Sequence, residues 1–195
     1  MNKIRLAILA SGSGSNAQAI IEYFSGHDSI EVACILSDKL EAGVHARAAL
    51  FDLPSFTLSD EERTRPGLFL DRLHETRVDF LVLAGYLRRI PVELVNEYPR
   101  RIVNIHPSLL PKFGGKGMYG DRIHAAVIET GQKETGITIH WVNEQYDEGE
   151  VIFQATCPVL PGDTVGRLAE RIHQLEHAHY PRVIEAVVKE CFHVH

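Results

Sequence analysis

The chain has 195 residues, 45% hydrophobic and 24% charged, enough for one sizeable core, so a single domain over 1–195 is expected. Its formal net charge of -6 argues against a general nucleic-acid binder, which carries a basic patch, but leaves room for a small anion held by backbone N–H groups. No apolar run is long enough to span a bilayer, and the N-terminal one is too short for a signal peptide, so a cytoplasmic protein with no membrane partner is expected.

Residues 4–10 are a short apolar run ending in small residues, the pattern of a buried parallel strand. The loop SGSGSN follows at 11–16, and then Ala17, Ile20, Ile21 and Phe24 recur at helical spacing. Glycines let backbone approach an anion, and the amides of Gly14, Ser15 and Asn16 would open a helix whose N-terminus favours phosphate. A plain helix cap needs fewer small residues, which favours the anion cradle. The loop lacks the third Gly of a dinucleotide fingerprint and the Gly-Lys-Ser/Thr of a P-loop.

Residues 30–36 read as a second strand, 44–51 as a second helix and 55–58 as a short third strand. Pro66 suits the first turn of a helix carrying Leu70 and Leu73. FLVLA at 80–84 reads as a fourth strand buried on both faces, 91–98 as a short helix and 101–106 as a fifth strand. The β-α alternation predicts a mostly parallel sheet with right-handed crossovers. Cys34 and Cys157 sit in apolar strand-like runs and are expected to be buried, reduced thiols; Cys191 makes the count odd.

The fifth strand runs into NIHPSLLP at 104–111. If strands one and five are parallel neighbours, this motif and the Gly-Ser loop emerge at one carboxyl edge, where open α/β sheets bind ligands. Asn104 donates through its amide, and a protonated His106 is a second donor and a general acid. Two such donors on one oxygen would stabilise an oxyanion. A lone histidine is more often a satisfied core imidazole, but Pro107 and Pro111 stiffen this loop and shift the reading toward function. GGKGMYG at 114–120 is a lid or an ordinary surface loop.

Residues 136–143 and 151–160 read as strands joined through the acidic YDEGE turn. An Asp147 carboxylate beside His106 would raise the imidazole's pKa, but nothing local shows that it reaches that far. A long helix is expected from Thr164, kinked or broken at Pro181. On it His173, Glu176 and His177 spell H-x-x-E-H, the inverted zinc-protease pattern. With 11 His in the chain and no obvious third ligand, no metal is expected there.

GSGSN, VLAGYLRRI, NIHPSLLP, ITIHWVNEQYDEGEVI and LEHAHYP together resemble the phosphoribosylglycinamide formyltransferases, folate-dependent enzymes of purine synthesis. The resemblance covers nearly the whole chain. It implies a Rossmann-like formyltransferase fold, α/β with a seven-stranded, mostly parallel sheet flanked by helices. It implies formyl transfer from the co-substrate 10-formyltetrahydrofolate to the amine of phosphoribosylglycinamide, with small-molecule substrates and a monomer or homodimer. The family's catalytic trio falls on Asn104, His106 and Asp147. Its phosphoribosylglycinamide-binding positions fall on Gly14, Ser15, Asn16, His173 and Glu176. Its folate-binding positions fall on Arg65, Leu87, Arg88, Arg89, Ile90, Asn104, Asn143, Glu144, Gln145 and Tyr146, and His140 falls on the histidine before the Asp loop. The chain departs from the pattern in its longer GGKGMYGD segment and in carrying His173 where some relatives have Lys. Formyltetrahydrofolate deformylase, with an extra N-terminal domain, and methionyl-tRNA formyltransferase, with an extra C-terminal one, are disfavoured, since the chain begins at strand one and ends after the long helix.

Overall fold

The computed structural model describes residues 3–193; Met1, Asn2, Val194 and His195, the ends of the expected 1–195 domain, lie outside the described residues. Its strands are β1 (Ile4–Leu9), β2 (Ile30–Ser37), β3 (Ser55–Thr57), β4 (Phe80–Leu83), β5 (Ile102–His106), β6 (Glu134–Trp141) and β7 (Val151–Pro158). They form one sheet in the order β3-β2-β1-β4-β5-β6-β7. The first five are parallel, and β6 and β7 add antiparallel at the β5 side.

Strands β1 and β5, considered above as possible neighbours, are parallel but separated by β4. FLVL is buried at every position, and the strand with no polar side chain to expose takes the middle of the sheet. The argument about the edge survives, since both strands still end at the same carboxyl edge. The chain winds outward from β1 to β3 and then returns to β4, so the loops after β1 and β4 diverge and open a crevice at this switch point.

Alternation along the strands divides the core in two. Leu6, Ile8, Phe80, Val82, Val103 and Ile105 belong to one buried cluster, whereas Ala7, Leu9, Leu81, Leu83 and Ile102 belong to another. The first is covered by α1 (Ser15–Phe24), α2 (Gly43–Leu50) and α7 (Val165–Phe192), and the second by α4 (Pro66–Glu75) and α5 (Val92–Glu97). On α4 the buried pair is Phe69 and Leu73, with Leu70 only packed at the margin.

Two helices were not expected. The five-residue α3 (Asp60–Thr64) opens on a capping box between Ser59 and Glu62, a signature present in the sequence as S-x-x-E. The start of α6 (Asp121–Glu129) is hidden because Gly120 caps it without a side-chain hydrogen bond. Pro181 does not break α7, which runs through it for 28 residues. The helix bond lost at Pro181 is offset by burial of Tyr180, Pro181, Ile184, Val187 and Val188. The Tyr180 hydroxyl also donates to Leu83 O at 2.9 Å and Val103 O at 3.3 Å, pinning the helix beneath β4 and β5. Cys34 and Cys157 are buried and all three cysteines are free. Among the described residues no helix is long and apolar enough to cross a membrane.

Candidate active site

A cavity of about 500 Å³ opens at the carboxyl edge of the sheet, over the crevice between β1 and β4. One end is walled by Gly12 to Asn16 together with His173 and Glu176. Here α1 begins at Gly14, whose φ of 77° is left-handed. A Cβ at Gly14 would stand 2.7 Å from Val44 Cγ2, so glycine is required there by conformation and by space. The first backbone bond of the helix is from Gln18 N–H to Gly14 O, at 2.9 Å, which leaves the amides of Ser15, Asn16 and Ala17 facing outward without helical partners. The Asn16 amide donates to Glu176 Oε2 at 2.9 Å. Burial pushes the Glu176 carboxyl above its ordinary pKa, against the opposing pull of Asn16 and His173.

The middle of the cavity is the end of β5. Asn104 and His140 are cross-strand partners on β5 and β6. His140 Nδ1–H donates to Trp141 O at 2.8 Å, which leaves Nε2 as a lone pair that accepts from Asn104 Nδ2–H at 3.1 Å. That bond fixes which way the Asn104 amide faces. The second amide hydrogen is only loosely engaged, 3.5 Å from Asp147 Oδ1. Asp147, at φ 56°, also brings Oδ1 within 3.5 Å of His106 Nδ1 and 3.8 Å of His140 Nε2, while Oδ2 accepts from Gly115 N–H at 2.9 Å. The expected trio is therefore assembled, and the reach of Asp147 to His106, invisible locally, is present.

The protonation of His106 departs from expectation. Its Nε2–H donates to Phe113 O at 2.9 Å, and with Asp147 on Nδ1 both ring nitrogens face acceptors, a setting suited to the imidazolium. Burial opposes this and outweighs it, so the pKa of His106 lies below the ordinary value. Burial also acts to raise the pKa of Asp147, but the polar groups around it, His106 and the Gly115 N–H among them, more than offset it, and the carboxyl is held below its ordinary value. Below about pH 6.5 the unfolded chain takes up a histidine proton that folded His106 resists. Stability from this histidine is thus full above that pH and falls as pH drops toward the folded pKa. Asp147 contributes above about pH 3.9 and loses its contribution as pH falls further, through its folded pKa. Thermal melts taken between about pH 8 and about pH 5 should show Tm declining below about 6.5, with a shallower decline in His106→Asn.

The other end of the cavity is lined by Tyr86, Leu87, Arg88, Arg89, Ile90 and Val142, an apolar slot with cationic margins. Arg88 Nε donates to Asp38 Oδ2 at 2.9 Å, and Arg89 holds the 143–147 loop through Glu144 O. Asn143, Gln145 and Tyr146 line the cavity from that loop. Two expected positions do not: Glu144 contributes its carbonyl to Arg89 and sits outside the lining, and Arg65 is an exposed residue at the junction of α3 and α4. Arg65 closes α3 and directly precedes Pro66, the first residue of α4. Ser108 is fully buried and donates to Lys112 O at 2.7 Å, so it shapes the turn. Met118 and Tyr119, in the 114–120 segment read as a lid or a surface loop, line the cavity, whereas Tyr86 and His124 were missed as cavity residues; of these two only His124 had a signal, its place beside Ile123 and Val127 on the buried face of α6.

His173 and His177 lie parallel with ring centroids 6.2 Å apart, while Glu176 turns away to Asn16. Among the described residues no three His, Cys, Asp or Glu side chains group as metal ligands.

The sequence profile of a family described as formyl transferase matches residues 4–184. The chain is 41% identical over 192 residues to phosphoribosylglycinamide formyltransferase, chloroplastic, of Arabidopsis thaliana, covering 95% of this chain and 66% of that protein; it thus spans just under two thirds of that relative's length. It is 37% identical over 191 residues to phosphoribosylglycinamide formyltransferase of Bacillus subtilis, covering 94% of each. The crystal structure of phosphoribosylglycinamide formyltransferase from Bacillus halodurans superposes with a TM-score of 0.86 at 36% identity, covering 96% of each chain.

Proposed function

The chain belongs to the formyl transferase family, and from that premise we propose that it transfers the formyl group of 10-formyltetrahydrofolate to the amine of phosphoribosylglycinamide, a step of purine synthesis. The observation that carries the reading is the convergence of Asn104, His106 and Asp147 midway along one cavity, between an open helix N-terminus and an apolar slot. The helix N-terminus suits a phosphate. Gly14, Ser15, Asn16, His173 and Glu176 would hold the phosphoribosyl group there. The slot of Leu87, Arg88, Arg89 and Ile90, with Asn143, Gln145 and Tyr146, suits a flat heterocycle bearing an acidic tail. Arg65 and Glu144, outside the lining, would reach the folate through a change in the loops that carry them.

In this scheme the neutral amine attacks the formyl carbon. The loosely held Nδ2–H of Asn104 and the Nε2–H of His106, turned from Phe113 O, take the oxyanion. Asp147 stays ionised, stabilises the cationic amine as it forms, and conveys its proton to N10 of the folate as the C–N10 bond breaks. No covalent enzyme intermediate is needed. The scheme asks for a single formyltransferase domain over 1–195, working in the cytoplasm as a monomer or homodimer on small-molecule substrates. Asn104→Ala should lower turnover by about 100- to 1000-fold in steady-state assays with both substrates saturating. The whole reading is tested by supplying 10-formyltetrahydrofolate with phosphoribosylglycinamide, water or methionyl-tRNA as acceptor. Formylation of methionyl-tRNA, or formate release without the ribonucleotide, would overturn it.

A further inference from the structure

His124 borders the same cavity, yet the scheme above gives it no task. It stands in the first turns of α6, is 2% exposed, and sits beside Ile123 and Val127, which pack against Leu168 of α7. Its Nδ1 is sealed from solvent and meets no hydrogen-bond partner among the described residues. Buried polar side chains nearly always have a partner, so an orphan needs an explanation. Asn16 Oδ1 is a second sealed orphan at this end of the cavity. A phenylalanine or leucine would fill the same space with no orphan, so packing does not account for an imidazole here.

The surroundings indicate what the ring is for. The same cavity is also lined by Glu176, an acceptor, and by Ser15 and Asn16, whose outward amides suit an anion. A phosphorylated sugar in this space would still lack a donor for its oxygens on the α6 side. A sealed nitrogen without a partner is cheaper as a bare lone pair than as an N–H, which puts the ring proton on Nε2. That nitrogen is the one left to meet a ligand.

We propose that His124 is a substrate-binding residue whose Nε2–H donates to an oxygen of the phosphoribosyl group. This rests on reading the protein as a phosphoribosylglycinamide formyltransferase. Steady-state kinetics of His124→Phe and His124→Gln test it. The Phe variant keeps the ring volume and loses the donor; its KM for phosphoribosylglycinamide should rise about tenfold, the scale of one lost hydrogen bond, with the KM for 10-formyltetrahydrofolate unchanged. The Gln variant, which keeps an N–H, should recover part of the loss. A Phe variant with both constants within about twofold of wild type overturns the proposal. So does an equal loss in both variants that raises the folate KM alongside, since that assigns the ring to packing. Should the Phe variant fail to fold, histidine-labelled wild-type protein answers the question by NMR. The His124 ring signals, assigned with His124→Gln, must shift when phosphoribosylglycinamide alone is added, and their standing still overturns the proposal. Failure of the wild type to bind or formylate phosphoribosylglycinamide instead defeats the underlying reading.

Discussion

Asp147→Asn should lower kcat by about 100- to 10,000-fold, the range for losing a positioned proton-transfer group, while leaving the fold and the KM for the ribonucleotide near wild type. The two side chains are nearly equal in volume, and Asn tolerates the left-handed φ of 56° at this position. Charge and acceptor count are what change. Oδ2 accepts from Gly115 N–H, and Oδ1 faces the Asn104 amide and His106. An NH2 group on either side meets a donor, so one of these contacts must be lost. The anion that would stabilise a cationic amine goes with it. Turnover within about tenfold of wild type, measured with Tm unchanged, would remove Asp147 from the mechanism.

The second large effect is structural and lies two residues away. A Cβ on Gly149 would stand 1.6 Å from Trp141 O and 3.2 Å from His140 Nδ1. Backbone has to move to admit it, and the carbonyl displaced is the one that accepts from His140 Nδ1–H. Trp141 N–H also donates to Glu150 O at 2.9 Å, closing the β6–β7 connection at the same point. Gly149→Ala should therefore destabilise the protein by about 3 kcal/mol, at the upper end for overpacking, lowering Tm by roughly 6–12 °C for a chain of this size. Freed from Trp141 O, His140 should also lose its single tautomer, visible in the nitrogen chemical shifts of its ring. Calorimetry that returns a wild-type Tm would show that the close approach is not a constraint.

These two residues mark how far the sequence could be read. The buried strand at 80–84, the Gly-Ser loop and the β-α alternation are local patterns, and period-two and period-3.6 signals survive into the fold. The placement of Asn104 and His106 at the carboxyl edge followed from where their strand ends. Asp147 was different: its meaning depends on His106, Asn104 and His140 arriving from β5 and β6, and no local window holds that information. Family resemblance, rather than spacing, supplied its role. The pKa of His106 was misjudged because the nearby carboxylate is legible as a motif, whereas the burial that outweighs it depends on the finished packing. Arg65, carried over from the resemblance, lies at the α3–α4 junction outside the cavity lining. His124 had only a faint signal, its place beside Ile123 and Val127, and its meaning emerges once α6 is seen to set it on the cavity wall.

The pairing of Asn104 with His140 has a further consequence, for which changes in length the chain can tolerate. Every position of β6 after Glu134 is buried, so apolar patterning alone does little to distinguish one register of this strand from its neighbour. Polar contacts have to do so. Besides the Asn104–His140 bond, the Thr138 hydroxyl donates to Ser108 O at 2.7 Å and accepts from Leu110 N–H and Gln154. A single-residue insertion or deletion in β6 would leave a strand that still buries well and still pairs, but with His140 and Thr138 turned to the opposite face. Such a protein would fold and be inert, so drift in this stretch can proceed by substitution but not by insertion or deletion.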